Sequence, residues 1–141
     1  MDWLKMLGTT EHQMKDDWLN EGERTTEFVA SRKRMSMRPG DGIALYATGR
    51  GSVFAFGTVT SFAYKRPDTN NEGFEWRVDV DLGGNYREFL HQGVPLALVS
   101  VDGRDLNRSI KQQSHIKLRS AEFEAVKTAL SGGASRNGRT G

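Results

Sequence analysis

The chain has 141 residues, enough for one domain with a real hydrophobic core but too few for two ordinary domains. It contains no cysteine, which excludes disulfides, thiolate zinc sites and cysteine nucleophiles. The formal net charge is +2 and the isoelectric point is about 9.0, which leaves room for a local positive face. No stretch has the pattern of a secretory leader or the apolar length of a membrane span, so we expect a cytoplasmic protein.

The first predicted element is a helix over residues 10–20. Thr10 and Gln13 have the spacing of a capping box, and Met14 and Trp18 lie one turn apart on the same face. The segment after it, which includes a basic run, shows neither helical nor strand periodicity.

From residue 38 onward the pattern is mainly that of β-strands. Pro39 and Gly40 occupy the two central positions of a predicted type II turn, where one fixes a negative φ and the other permits a positive φ. Alternating apolar residues then predict five strands, at residues 43–48, 53–62, 75–82, 95–101 and 115–118. The glycine-rich connection at residues 49–52 should turn the first two into a hairpin, whereas residues 102–114 are too polar for the core.

A last helix is predicted from Ser120, which is placed to cap it, to about Leu130. Its apolar residues Phe123, Val126 and Leu130 lie on one side, and Gly132 with Gly133 should end it. We therefore expect one domain over residues 1–131 and a disordered basic tail over residues 132–141.

The sequence contains no recognisable catalytic or metal-binding motif. Gly49 and Gly51 are not followed by the lysine and hydroxyl residue of a phosphate loop, so a hairpin turn is the better interpretation. The three histidines are far apart and lack the spacing of a helical metal site: His12, His91 and His115. We therefore predict no catalytic residue, metal or cofactor. Binding is favoured over catalysis, although the absence of a motif does not exclude an enzyme.

The chain shows no internal repeat and no alternation of strands with helices, which favours a small α+β barrel with helices beside it. Three segments resemble the EVE domain, a branch of the PUA-like superfamily with the YTH, ASCH and SRA domains: residues 37–49, 53–61 and 108–130. EVE domains commonly open with a "YWL" strand, and "DWLKML" stands in that place here. The resemblance implies a pseudo-barrel of five or six mainly antiparallel strands flanked by helices.

The resemblance also implies that the protein binds a modified nucleobase, flipped out or single-stranded, in DNA or RNA. Prokaryotic EVE domains are often associated with restriction of modified DNA, so partners in a defence or RNA-processing system are expected. A base pocket needs flat apolar walls, hydrogen-bond partners and nearby cations. The candidate pocket residues are Tyr46, Thr48, Trp76, Gln113, Ser114, His115 and Trp18.

Each aromatic candidate has a structural alternative. Tyr46 is equally suited to packing in a second layer of the fold. Trp76 shares a strand face with Val78, which favours a place in the core, and Trp18 is placed to pack against Met14 of the same helix. Candidate phosphate contacts are Arg32, Lys33, Arg34, Arg38, Arg108 and Lys111, provided that both groups edge one pocket.

Two other functions remain open. One is a hydrolase acting on modified nucleosides or RNA, as in some ASCH domains, which requires a lysine or carboxylate inside the pocket. The other is a protein-interaction adaptor.

Overall fold

The computed structural model describes residues 1–7, 28–48, 51–65, 75–82, 93–101, 103–111 and 115–140, with side chains as far as residue 131. The strands are β1 (Asp2–Leu7), β2 (Phe28–Ser31), β3 (Gly42–Ala47), β4 (Ser52–Val59), β5 (Tyr64–Lys65), β6 (Trp76–Asp81), β7 (Val94–Pro95) and β8 (His115–Leu118). A short 3-10 helix (Leu96–Leu98) and two α-helices, α1 (Leu106–Ser109) and α2 (Ser120–Thr140), complete the described elements. The helix predicted over residues 10–20 lies outside the described residues.

One mixed sheet in the order β2-β6-β4-β3-β1-β8 forms the body of the protein, with β5 added to β6 and β7 added to β4. Among the described strand pairs, β1 with β3 is parallel and the others are antiparallel. The sheet curls into a half-barrel, which confirms the prediction of an α+β, barrel-like fold. The main path contains six strands, and the first of these in sequence, β1, covers "DWLKML".

The two faces of the sheet bury two separate clusters. The inner core, around which the sheet curls, consists of Trp3, Leu7, Val29, Met35, Met37, Ile43, Leu45, Ala47, Phe54, Ala55, Val59, Val78, Val80 and Leu82. The outer core, under α2, consists of Leu4, Met6, Ala44, Tyr46, Val53, Leu96, Val99, Leu106, Leu118, Phe123, Val126 and Leu130. Successive residues of a strand point to opposite faces, so β1 and β3 contribute to both cores.

The predicted turn before β3 is present. Gly40 has φ +94°, and the Asp41 backbone N–H donates to the Arg38 carbonyl at 3.0 Å. The Asp41 carboxylate accepts hydrogen bonds from the Trp3 indole N–H at 2.9 Å and from the Arg38 backbone N–H at 3.0 Å. The turn therefore joins the start of β3 to the Trp3 side chain of β1.

The predicted hairpin of β3 and β4 is also confirmed, with a register shift between Leu45 and Tyr46. Gly51, in the connection, has φ +72°, which a residue with a Cβ adopts only under strain. Gly51 is therefore needed for the conformation of the turn.

The strand predicted over residues 95–101 is wrong for most of its length. After the two-residue β7 the chain forms the 3-10 helix Leu96–Leu98, and Leu96 and Val99 reach the outer core. Apolar residues three apart suit that tighter helix. The polar segment after it was wrongly excluded from the core, since Leu106 in α1 is 1% exposed.

The end of the chain differs from prediction in two respects. Arg119, not Ser120, caps α2, because its backbone N–H donates to Glu122 Oε1 at 2.7 Å and its carbonyl accepts from the Phe123 N–H. The helix also continues to Thr140, beyond the end predicted at Gly132 and Gly133. Glycine costs a helix about 1 kcal/mol but does not block it sterically. Neither helix of the described chain has the length and hydropathy to span a membrane.

We expect Asp41→Ala to lower the free energy of unfolding by about 2 kcal/mol in urea denaturation at pH 7, because a charged acceptor of three hydrogen bonds is lost. Burial raises the pKa of Asp41, but the hydrogen bonds from Trp3 and Arg38 and the nearby terminal amino group lower it more, so it lies below its usual value. The stabilisation is therefore present above the unfolded pKa of 3.8 and is lost as the pH falls through the lower folded pKa. A difference between wild type and variant that stays constant down to the lowest pH would contradict a role for the charge.

Candidate functional site

A half-buried tryptophan with two cations lies at one end of the sheet. Trp76 begins β6 and pairs with Ser31 of β2 and Lys65 of β5. The guanidinium carbon of Arg34 lies 5.9 Å from the Trp76 ring centroid, and Lys65 Nζ lies 6.0 Å from it. We call Trp76, Arg34 and Lys65 the Trp76 platform. Trp76 is not part of the buried inner core, so the core interpretation favoured by its sequence face is not what the structure shows.

Further basic residues continue from the Trp76 platform. Arg32, Lys33 and Arg34 are exposed, whereas Met35 and Met37 are each 1% exposed and anchor the segment in the inner core. The exposed Arg38 follows in the turn. Lys65 also forms an ion pair with Glu75 at 3.4 Å, but both side chains are more than a third exposed, so this pair is weak.

The other predicted phosphate contacts lie elsewhere. Arg108 and Lys111 are exposed on and just after α1, whose buried residue Leu106 packs in the outer core. The segment of Arg34 is instead anchored in the inner core. The two basic groups are therefore attached to different cores, and a phosphate rim shared by both groups stays a prediction.

A second group of polar and aromatic side chains lies where β1 pairs with β8. Lys5 is opposite His115 and Trp3 is opposite Lys117, so all four side chains share the inner face. The Trp3 and His115 ring centroids are 5.7 Å apart with a tilt of 59°, and Lys117 Nζ lies 5.8 Å from the Trp3 centroid. We call these four residues the Trp3 cluster.

Lys5 is the unusual member of the Trp3 cluster. Its side chain is only 2% exposed, and its Nζ donates to the Met6 carbonyl at 2.9 Å. No carboxylate pairs with it among the residues that the structure describes. Burial lowers the pKa of Lys5 from 10.5 to about 8, and burial together with the charge of Lys5 lowers the pKa of His115.

Sequence reasoning missed Lys5, although a signal was present. The period-two pattern of β1 puts Lys5 on the same face as Trp3 and Leu7, both of which are buried. A lysine between two inward apolar residues is expected to be buried or functional.

The predicted base pocket is divided between the faces of the sheet. Tyr46 is 9% exposed and packs in the outer core, where burial raises the pKa of its hydroxyl. His115 lies on the inner face, and Trp76 shares the strand parity of the inner-core residue Val78. Thr48 lies just after β3, and its backbone N–H donates to the Leu7 carbonyl at 3.0 Å. Trp18, Gln113 and Ser114 lie outside the described residues.

Several solved structures are similar to this chain in fold. No family model and no curated protein sequence matches the chain. An NMR structure of a Rhodopseudomonas palustris protein matches 92% of this chain and 92% of its own length, with 16% identity and a TM-score of 0.56. A crystal structure of an Agrobacterium tumefaciens protein matches 91% of this chain and 92% of its own, with 17% identity and a TM-score of 0.56. A hypothetical protein from Leishmania major matches 94% and 96%, with 15% identity and a TM-score of 0.60. The barrel-like fold thus recurs over nearly the whole length of these chains.

We expect Lys5→Met to raise the free energy of unfolding by about 2 kcal/mol at pH 7. A shift from 10.5 to about 8 corresponds to roughly 3 kcal/mol of stability lost to the buried charge, and about 1 kcal/mol of hydrogen bond to Met6 offsets it. Since the folded pKa is the lower one, the wild type regains this stability as the pH rises from about 8 to 10.5.

Urea denaturation at pH 7 and pH 10 measures the effect, and the advantage of the variant should shrink at the higher pH. Lys117→Met, at an exposed lysine on the same face, is the matched control and should change stability little. Destabilisation by Lys5→Met at pH 7 would show that the amine has a structural role.

Proposed function

We propose that this protein is a nucleic-acid-binding module of the EVE type in the PUA-like superfamily, which recognises a modified base in DNA or RNA. The observation that carries the proposal is the Trp76 platform, a half-buried indole with two cations, each about 6 Å from its ring centroid. Stacking of a base on an aromatic ring contributes about 1 to 3 kcal/mol, and adjacent cations bind the phosphates on either side of that base.

The charge around the platform supports the same proposal. Lys33 and Arg34 are consecutive and exposed, which places two positive charges where an extended polyanion can contact them. Arginine also donates two parallel hydrogen bonds to a phosphate, which fixes the backbone of a bound strand.

A hydrolase is the second candidate, because Lys5 is a lysine buried in the interior. Hydrolysis commonly requires a second group that transfers protons, and His115 lies opposite Lys5, but no carboxylate accompanies Lys5 in the described part of the chain. Binding is therefore the better-supported function. Release of a base or acyl group from modified nucleosides, followed by chromatography and abolished by Lys5→Met, would reverse this preference.

Trp76→Ala should weaken binding of a fluorescein-labelled single-stranded oligonucleotide by about 5- to 100-fold, corresponding to the loss of one stacked base. Fluorescence anisotropy with paired oligonucleotides, identical except for one modified base, measures both affinity and discrimination. Equal affinity of wild type and Trp76→Ala would contradict the platform.

Arg34→Met and Arg108→Met form a matched pair, since each removes one exposed arginine. We expect Arg34→Met to reduce the slope of log affinity against log salt by about 0.7, the value for one single-strand phosphate contact, and Arg108→Met to leave it unchanged. Equal losses for both variants would indicate attraction by overall charge alone.

A further inference from the structure

We propose that Lys5 and His115 form a binding site for a small oxyanion, a carboxylate or a phosphate group, on the inner face of the sheet. This site is separate from the Trp76 platform and does not depend on the proposed function.

The first argument is charge. Lys5, His115 and Lys117 are positive or can become positive, and they lie together on β1 and β8 with no carboxylate paired to Lys5 in the described residues. Asp41 contacts this cluster through the Trp3 indole N–H, and its carboxylate also accepts the Arg38 N–H. The buried ammonium group of Lys5 has no anionic partner among the described residues, and a bound anion would supply one.

The second argument is the hydrogen-bonding capacity of the amine. An ammonium group has three N–H donors and no acceptor, and the structure assigns one donor of Lys5, to the Met6 carbonyl. Burying an ammonium costs several kcal/mol, whereas one hydrogen bond to a charged group returns about 1.5 to 3 kcal/mol. The donors that remain suit the oxygens of an anion, which accept charge-assisted bonds.

The third argument is position. Lys5 is opposite His115, where β8 begins, so the amine lies at the last described pair between β1 and β8. The Trp3 ring, 4% exposed, lies beside His115 and gives the site an apolar wall. Low polarity strengthens the attraction between the ammonium group and an anion.

The burial of the cluster also sets the direction of its pKa shifts. Burial lowers the pKa of Lys5 to about 8 and lowers that of His115, and β3 presents only apolar residues to this part of the inner face, Leu45 and Ala47. A bound anion would favour the charged form of both groups.

The test uses inorganic phosphate and acetate as probes, at constant ionic strength against chloride, with urea denaturation of the full chain as the readout. A ligand that binds only the folded state multiplies the folding equilibrium constant by about eleven when its concentration is ten times Kd. We expect phosphate or acetate to raise the constant for the wild type and to have little effect on Lys5→Met. The anion with the larger effect shows whether the site prefers a carboxylate or a phosphate group.

Two controls make the outcome decisive. Lys127→Met, on the outer face and already paired with Glu124 at 2.7 Å, should respond like the wild type. The carbon-13 signal of the Lys5 Cε in lysine-labelled protein should shift with phosphate or acetate at pH 7 and much less at pH 10, where the amine is neutral. Equal stabilisation of wild type and Lys5→Met, or an unmoved Lys5 signal, would overturn the proposal. Loss of oligonucleotide binding in Trp76→Ala with an intact anion response would leave it standing.

Discussion

The hydrogen bond from the Trp3 indole to Asp41 is the contact on which the register of the sheet depends. Strands β1 and β3 are parallel and distant in sequence, so no tight turn between them sets their alignment. Asp41 receives the indole N–H, and the Gly42 N–H donates to the Met1 carbonyl at 3.0 Å, which fixes the first pair of residues. A slip by one residue would exchange the faces of β1 and move Lys5 from the inner to the outer core.

The two faces set in this way have different chemistry. On the outer face, Oε1 of the buried Glu122 forms an ion pair with Arg104 at 2.8 Å and accepts the Arg119 N–H at 2.7 Å. Its charge is therefore paired, and it stabilises the start of α2. On the inner face, the equally buried Lys5 has no paired charge among the described residues. One buried charge is thus explained by folding, and the other points to a ligand.

The fold is shared with proteins from several organisms at 15 to 17% identity, and a fold at that distance does not carry function with it. The side chains of this chain therefore have to support its function. Trp76, Lys65 and the Trp3 cluster lie on described strands, and Arg34 lies in the segment that follows β2. Their separation means that binding of a nucleic acid and binding of a small anion can be measured independently.

Patterns of neighbouring residues correctly predicted several turns and strands. Pro39 and Gly40 predicted their turn, alternation predicted β3, β6 and β8, and the β3–β4 hairpin followed from a glycine-rich connection. Each depends on residues close together in the chain, where backbone preferences act directly. The same reasoning failed for residues 96–98, because an apolar run fits a strand and a 3-10 helix equally well.

The candidate site depended on contacts that no local pattern contains. Alternation showed that Tyr46 and Ile43 lie on opposite faces, but it could not tell which face is shared with His115, because that requires the pairing of β3, β1 and β8. For the same reason the burial of Lys5 and the placement of Arg34 and Lys65 around Trp76 became visible only with the sheet assembled. The sequence therefore specifies the turns and the strand periods, which arise from neighbouring residues, whereas long-range strand pairing determines which side chains meet.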